Sequence, residues 1–435
     1  MIMESIWSAN ISKPHFPTLS GTLKTDVLII GGGITGLLCA YLLQQAGVSY
    51  VLLEENEICS GITPNTTAKI TSQHGLIYSK LVNEVGIERA QLYLQANQDA
   101  ISNFKALAKL FPCDYENKDA YVYTLGSNEK LFQELSALDK LDFHPEFLPE
   151  VPLPMRTAGA IRFAGQGQFH PLRFLYALAK ELHIFEHSGV VELVKNTAIT
   201  HGGKVTASKI IIATHFPILN KHGMYFLKLY QQRSYVIALE NAQDVGGMYI
   251  DGEKNGLSFR NYGNLLLLGG GGHRTGKQGR NWAELTQFAQ HHYPKNPIVS
   301  RWATQDCMSL DGIPYIGHYS KNTPDLYVAT GYNKWGMTSA MVAATILQNL
   351  VQGYPNPYGD LFSPSRNMLK PQLAVNGWES ASHLLSLSKK RCPHLGCALK
   401  WNPQEHSWDC PCHGSRFAED GTRLNNPATG DLKNP

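Results

Sequence analysis

Four aliphatic residues followed at once by a glycine turn constrain this chain more than any other feature. Val27-Leu28-Ile29-Ile30 reads as a parallel strand buried on both faces, and Gly31-Gly32-Gly33-Ile34-Thr35-Gly36 follows it directly. Leu37, Leu38, Tyr41, Leu42 and Leu43 then give a helix an apolar face. Tyr50-Val51-Leu52-Leu53 supplies a second strand, ending in Glu54 eighteen residues after Gly36. In that order the elements form a dinucleotide-binding unit. Gly31 permits the tight turn, Gly33 the approach of a pyrophosphate, Gly36 the packing of helix on strand, and Glu54 accepts ribose hydroxyls. The helix start at Ile34 and Thr35 faces the phosphate charge. The uncharged run Val27 to Leu53 is long enough to span a bilayer, but the glycines break it and Gln44, Gln45, Gly47 and Ser49 dilute it.

With 435 residues, 43% of them hydrophobic and 17% charged, the chain has apolar material for more than one core. Its 38 basic and 35 acidic residues leave a charge of only +3, without a basic block that could track a phosphate backbone, so no nucleic-acid partner is expected. The first twenty residues lack a basic segment followed by an apolar run, which makes the cytoplasm the expected compartment. Strand-like and helical patterns alternate from Asp26 to about Gly353, as in an α/β fold. Pro355, Pro357, Gly359, Pro364 and Pro371 read as a linker over about 354–371. The segment beyond it, 372–435, is too short for a sizeable core of its own. It holds Cys392, Cys397, Cys410 and Cys412, four of the eight cysteines within twenty-one residues, and reads as a small metal domain.

FAD and NAD both use the N-terminal unit, and its fingerprint leaves the choice open. Three further pieces bear on it. Gly61-Ile62-Thr63-Pro64-Asn65-Thr66-Thr67-Ala68-Lys69 is a small-residue loop after the second strand. Ser208-Lys209-Ile210-Ile211-Ile212-Ala213-Thr214 is a late strand with Val191 upstream of it. Asp311-Gly312-Ile313-Pro314-Tyr315-Ile316-Gly317 precedes Leu326 to Gly331 and Gly336-Met337-Thr338. Over about residues 5–355 these pieces resemble the FAD-dependent amine and amino-acid oxidoreductases, the family of D-amino-acid oxidase, sarcosine oxidase and glycine oxidase. The resemblance implies that Thr66, Thr67 and Ala68 line the flavin and pyrophosphate and that Val191 touches adenine. It also implies that Gly331, Gly336, Met337 and Thr338 present a strand end and a positive helix end to the flavin's pyrimidine edge. The implied fold is a Rossmann-like FAD domain at about 22–80, 155–215 and 300–353. A β-sheet substrate domain at about 81–154 and 216–299 is interleaved with it.

Gly269-Gly270-Gly271-Gly272 contains no complete G-x-G-x-x-G, so one nucleotide is expected and NAD(P)H is not the expected reductant. Cys307 stands where sarcosine oxidases carry a thioether to the flavin's 8α-methyl carbon. Covalent FAD at Cys307 is one reading, and a buried free thiol the other. Arg260 is a candidate fork for a substrate carboxylate, with His74, His273, Tyr332 and Trp335 as candidate cavity residues.

Cys392-Pro393-His394-Leu395-Gly396-Cys397 and Cys410-Pro411-Cys412-His413-Gly414-Ser415 are separated by twelve residues, and each brings a Cys and a His together. This is the arrangement of a Rieske 2Fe-2S cluster, with Cys392 and Cys410 on one iron and His394 and His413 on the other. A mononuclear zinc site is the alternative, although zinc pairs more often step Cys-x-x-Cys and His-x-x-x-His. Resemblance to the Rieske proteins of cytochrome bc-type complexes further implies a Cys397–Cys412 disulfide, shielded from a reducing cytosol by the cluster loops, and a Ser415 hydroxyl on a bridging sulfide. Phe417 replaces their tyrosine, which removes one hydrogen bond to sulfur and implies a potential below that of the high-potential relatives. Most of the base sheet is expected to be missing from this shortened all-β domain. Its loops are then expected to lean on the flavin domain or to lose the cluster easily.

A flavin site and a one-electron cluster in one chain imply an oxidoreductase that takes a hydride from a C–H bond next to an amine. Electrons would pass through the cluster to an external protein or quinone, with the histidines as an exposed exit. A non-catalytic redox relay or sensor, or a reductase fed through the cluster, are the alternatives. No helix carries the two histidines and carboxylate of a Rieske oxygenase iron.

Overall fold

The computed structural model describes residues 3–9, 11–219, 222–253, 256–386, 388 and 390–432. Strand Gly21–Ile30 is paired in parallel with Tyr50–Leu53 on one side and Gly203–Ile212 on the other. Ile184–Phe185 extends the sheet beyond Tyr50–Leu53, and Leu326–Thr330 joins Gly203–Ile212 from the far end of the chain. The aliphatic run buries both faces, as a doubly covered parallel strand must. Helices Ile34–Gln45 and Gly336–Gln352 pack together on one face through Leu37, Leu38, Ala340, Met341 and Ala344.

A second eight-stranded sheet runs in the order Ile298–Ser309, Leu229–Glu240, Leu265–Arg274, Ser258–Tyr262, Met248–Asp251, Ala120–Thr124, Gly159–Phe163, Glu146–Leu148. All neighbours are antiparallel except Met248–Asp251 with Ala120–Thr124. Two expected boundaries therefore move. Gly159–Phe163 and Ile298–Ser309 belong to the substrate sheet rather than to the flavin domain, because their hydrogen-bond ladders lie there.

The expected linker is not a free tether. Arg366 places its guanidinium on Asp311 at 2.7 and 2.8 Å and over the Tyr315 ring at 4.0 Å. Helix Pro371–Leu384 follows. The tail then forms a four-stranded antiparallel sheet of Lys400–Asn402, Ser407–Asp409, Arg416–Ala418 and Arg423–Asn425. No helix among the described residues is long and apolar enough to cross a membrane.

Candidate active site and cluster site

A cavity of about 1000 Å³ runs from the glycine turn, between the two large sheets, to the strand Leu265–Arg274. At one end the dinucleotide unit is formed as its sequence requires. Gly31 has φ +112°, and a Cβ there would sit 2.6 Å from the Ala213 carbonyl oxygen; a Cβ on Gly36 would sit 1.9 Å from the Gly31 carbonyl oxygen. These approaches leave only glycine and let the helix start close to the cavity floor. Gly31, Gly33, Ile34, Thr35, Glu54, Thr66, Thr67 and Val191 line the cavity. Glu54 accepts hydrogen bonds from the backbone N–H groups of Gly32 at 2.6 Å and Asn56 at 2.9 Å, which fixes its carboxylate at the strand end.

At the other end lie Gly331, Tyr332, Trp335, Gly336, Met337, His74 and Cys307. Helix Gly336–Gln352 points its first turn at this space. The His74 ring stacks on Trp335 at 4.7 Å; its Nε2 donates to the Thr71 carbonyl at 2.8 Å, and its Nδ1 accepts from the Tyr93 hydroxyl at 2.7 Å. Burial pushes its pKa down to about 3, so it is a neutral wall. Burial likewise pushes the Cys307 thiol up to about 12, and its Sγ lies 3.6 Å from Thr330 Oγ1.

Four expected contacts fall elsewhere. Arg260 is fully buried outside the cavity, where Nη1 donates to the carbonyls of Thr67 and Ala68 and the guanidinium lies over Trp7. It braces the flavin-side loop through Nη1, while Nε and Nη2 are buried without a hydrogen-bond partner and do not line the cavity. Ala68 turns away from the cavity with φ +53° and no exposure. Thr338 bonds back to the Thr71 carbonyl and to His74, and so holds the wall rather than the cofactor. His273 Nε2 lies 3.0 Å from the Tyr235 hydroxyl, which donates to Glu405, and so faces the tail.

Sequence reasoning passed over two charged cavity residues. Lys69, the last residue of the small-residue loop, is half-buried at the cavity wall with Nζ 3.1 Å from Thr67 Oγ1. Burial first, and then the Arg260 charge, lower it to about 7. Asp306 receives the Ser234 hydroxyl at 3.2 Å, and burial raises its pKa against the pull of Lys334.

In the tail, Cys397 and Cys412 form the disulfide, leaving Cys392 and Cys410 as free, buried thiols. Hydrogen bonding from Cys410 holds Cys392 down at about 7 despite its burial, while Cys410 is pushed up. The rings of His394 and His413 meet edge-on at 5.0 Å, and neither ring nitrogen of the buried His413 has a well-formed hydrogen bond among the described residues. Two coupled thiols and two neighbouring imidazoles on the same two loops are the donor types of a Rieske cluster, and Cys410 Sγ also lies close to the sulfurs of Cys397 and Cys412. Ser415 also reaches Cys392 and accepts the Ala428 N–H at 3.0 Å.

The histidine end is not the exposed exit that the sequence suggested. Phe216 of the flavin domain packs on both rings, at 6.2 Å from His394 and 6.3 Å from His413, and Phe226 packs on His413 at 6.3 Å. The second cluster loop is stitched down through its backbone. Gln231 Nε2 donates to the His413 carbonyl at 2.9 Å, Gln305 Nε2 to the Gly414 carbonyl at 2.8 Å, and Arg274 to the Pro411 and Cys412 carbonyls. Arg233 and Arg416 share the buried Glu405. The tail thus leans mainly on the substrate sheet, through Gln231, Arg233, Arg274 and Gln305, and touches the flavin domain through Phe216. It also contributes to the cavity wall: Arg423, Leu424, Asn425, Asn426 and Thr429 line it beside Glu54 and Val191. Arg423 pairs with Glu55, and Asn426 donates to the Thr214 and Phe216 carbonyls.

Comparison with known proteins agrees with both sites. Residues 26–350 match the family model "FAD dependent oxidoreductase", and residues 368–435 match "Rieske [2Fe-2S] domain". The chain is 34% identical, over a 494-residue alignment covering 99% of it and 97% of the relative, to the "Putative Rieske 2Fe-2S iron-sulfur protein YhfW" of Bacillus subtilis. Among solved structures it is similar to glycine oxidase from Geobacillus kaustophilus, with TM-score 0.67 and 19% identity over 80% of this chain and 100% of that one. It is also similar to L-proline dehydrogenase from P. horikoshii, with TM-score 0.68 and 15% identity over 80% and 98%. The chain therefore belongs to the FAD-dependent oxidoreductase family and carries a Rieske 2Fe-2S domain at its C-terminal end.

Proposed function

We propose that this protein oxidises the C–H bond next to the nitrogen of an amine or amino acid and relays the electrons through its Rieske cluster to an external acceptor. Bound FAD supplies the hydride-accepting centre, and the cluster carries one electron at a time. The observation that carries the reading is the wall shared by the two sites. Thr214 and His215 line the flavin cavity, and the next residue, Phe216, covers both cluster histidines. On strand Ile298–Ser309, Cys307 lines the cavity, while Gln305, two residues earlier, holds the Gly414 carbonyl. A cluster held by His394 and His413 would thus have its histidine end on the wall it shares with the flavin cavity.

The cavity chemistry supports an amine substrate. An ammonium must lose its proton before hydride departure, and Lys69, held near neutrality by burial, is the acceptor on the cavity wall. Lys334 and Asp306 supply fixed charges on the same wall for a carboxylate and an ammonium. The names of the glycine oxidase and L-proline dehydrogenase that share the fold point to the same substrate class. The test is anaerobic mixing of the holoprotein with a panel of amino acids and amines. Flavin bleaching by at least one of them should be followed by the EPR signal of a reduced, histidine-ligated cluster. Bleaching that leaves the cluster oxidised would refute the relay. Lys69→Met should lower kcat/KM by about a hundredfold and flatten a wild-type profile that rises through about pH 7.

A further inference from the structure

The helix Pro371–Leu384, which leads into the first cluster loop, is mounted with its polar side inward. Asn376, 1% exposed, accepts from Arg274 and Gln372 and donates to the Leu227 carbonyl. Glu379 pairs with Lys277 at 2.7 Å and His383 at 3.5 Å. The outward stripe is Pro371, Ala374, Val375, Trp378, Ala381 and, just past the helix end, Leu385, at helical spacing. Trp378 is 74% exposed and Leu385 83%. Leu369 before the helix, and Leu384 and Leu395 beside the first cluster loop, continue the apolar surface, and Leu395 adjoins the ligand His394. Lys390, Arg391 and Lys400 stand at the same end without a carboxylate partner among the described residues; Arg391 donates to the carbonyls of His383, Leu384, Ser386 and Gly396, and Lys390 lies 4.3 Å over the Trp408 ring, which holds both beside the first cluster loop.

The stripe is too small for a lasting protein partner. A helix of 14 residues is about 21 Å long and about 10 Å across, roughly 200 Å² of face, against about 800 Å² on each side of a standard interface. An anionic bilayer needs no such area. Tryptophan and leucine enter the headgroup boundary while flanking basic side chains meet the lipid charge. We infer that this face docks the protein on an anionic membrane surface, holding the first cluster loop at the interface where a lipid-soluble acceptor such as a quinone resides. The choice of acceptor rests on the relay reading; the docking does not.

The test is sedimentation of the holoprotein with vesicles of phosphatidylglycerol mixed with phosphatidylcholine, and with phosphatidylcholine alone. Binding to the anionic vesicles is expected, weakened by salt. It should fall about tenfold or more in Trp378→Glu and Leu385→Glu variants whose flavin and cluster spectra match the parent. Absence of binding, or equal binding by the variants, overturns the inference. So does a dimer that the variants split, or an acidic carrier protein whose reduction the variants impair without any vesicle binding. Variant-sensitive vesicle binding in a protein whose cluster no amine reduces would uphold the docking and sink the relay.

Discussion

The flavin domain and the cluster unit hold their redox sites by opposite means. The flavin cradle is built from missing side chains and a deep core. Gly31 and Gly36 let backbones touch, and the aliphatic strands around them are buried without help from the cofactor. In the cluster unit the buried apolar core consists of Cys392, Cys397, Leu399, Cys410, Cys412, Phe417, Ala428 and Leu432. Half of these are cysteines, so the ligands and the crosslink are themselves the core. The first site is pre-formed and receives its cofactor. The second is completed by its cofactor and by the surface on which it rests.

The most severe way to break this comparison is to remove the metal. Cys410→Ser should abolish the Rieske EPR signal and make the tail sensitive to limited proteolysis, while the yellow flavin spectrum persists. Protection equal to the parent would mean that the tail folds without its iron.

Next in size is the buried ion network that fastens the tail. Arg233→Ala leaves Glu405 with Arg416 and the Tyr235 hydroxyl, so the cost falls below the about 3–5 kcal/mol of a buried charge left unpaired and is read as an earlier tail transition in calorimetry. The same carboxylate sets an acid limit. Burial raises its pKa, but Arg233 and Arg416 outweigh burial and hold it at about 2. Its contribution is therefore complete above its unfolded value near 4.5 and is lost as pH falls from there towards about 2. Glu405→Gln should flatten tail melting across that window.

A smaller effect is expected in the flavin cradle. Gly36→Ala forces a Cβ onto the Gly31 carbonyl, costing about 1–3 kcal/mol of overpacking. Because the strain falls on the turn that meets the pyrophosphate, FAD should dissociate more readily while the cluster signal stays unchanged. The smallest is Phe417→Tyr, which supplies the hydroxyl that the resemblance to bc-type Rieske proteins implies at this position and should shift the cluster potential upward in a redox titration.

What the sequence disclosed was what short chain distance encodes. The strand, glycines, helix and Glu54 lie within thirty residues, and each cluster loop within six, so pattern and chemistry coincide. What it concealed depends on residues far apart. The inward-facing histidines are set by Phe216, Gln231 and Gln305, whose identities carry no pattern. Arg260 looks like a carboxylate fork in the cavity until the fold buries it outside the cavity, with Nη1 on the backbone of Thr67, 193 residues earlier. Lys69 stood inside a quoted motif, yet its depressed pKa comes from burial, which spacing does not report.

The fringe of the tail around Asn426 makes the cavity a property of both parts of the chain. It lines the nucleotide end beside Glu54 and Val191, held there by Arg423 on Glu55 and by Asn426 on the Thr214 and Phe216 carbonyls. A change in the tail that loosens these contacts therefore reshapes the cavity of a domain in which it does not lie.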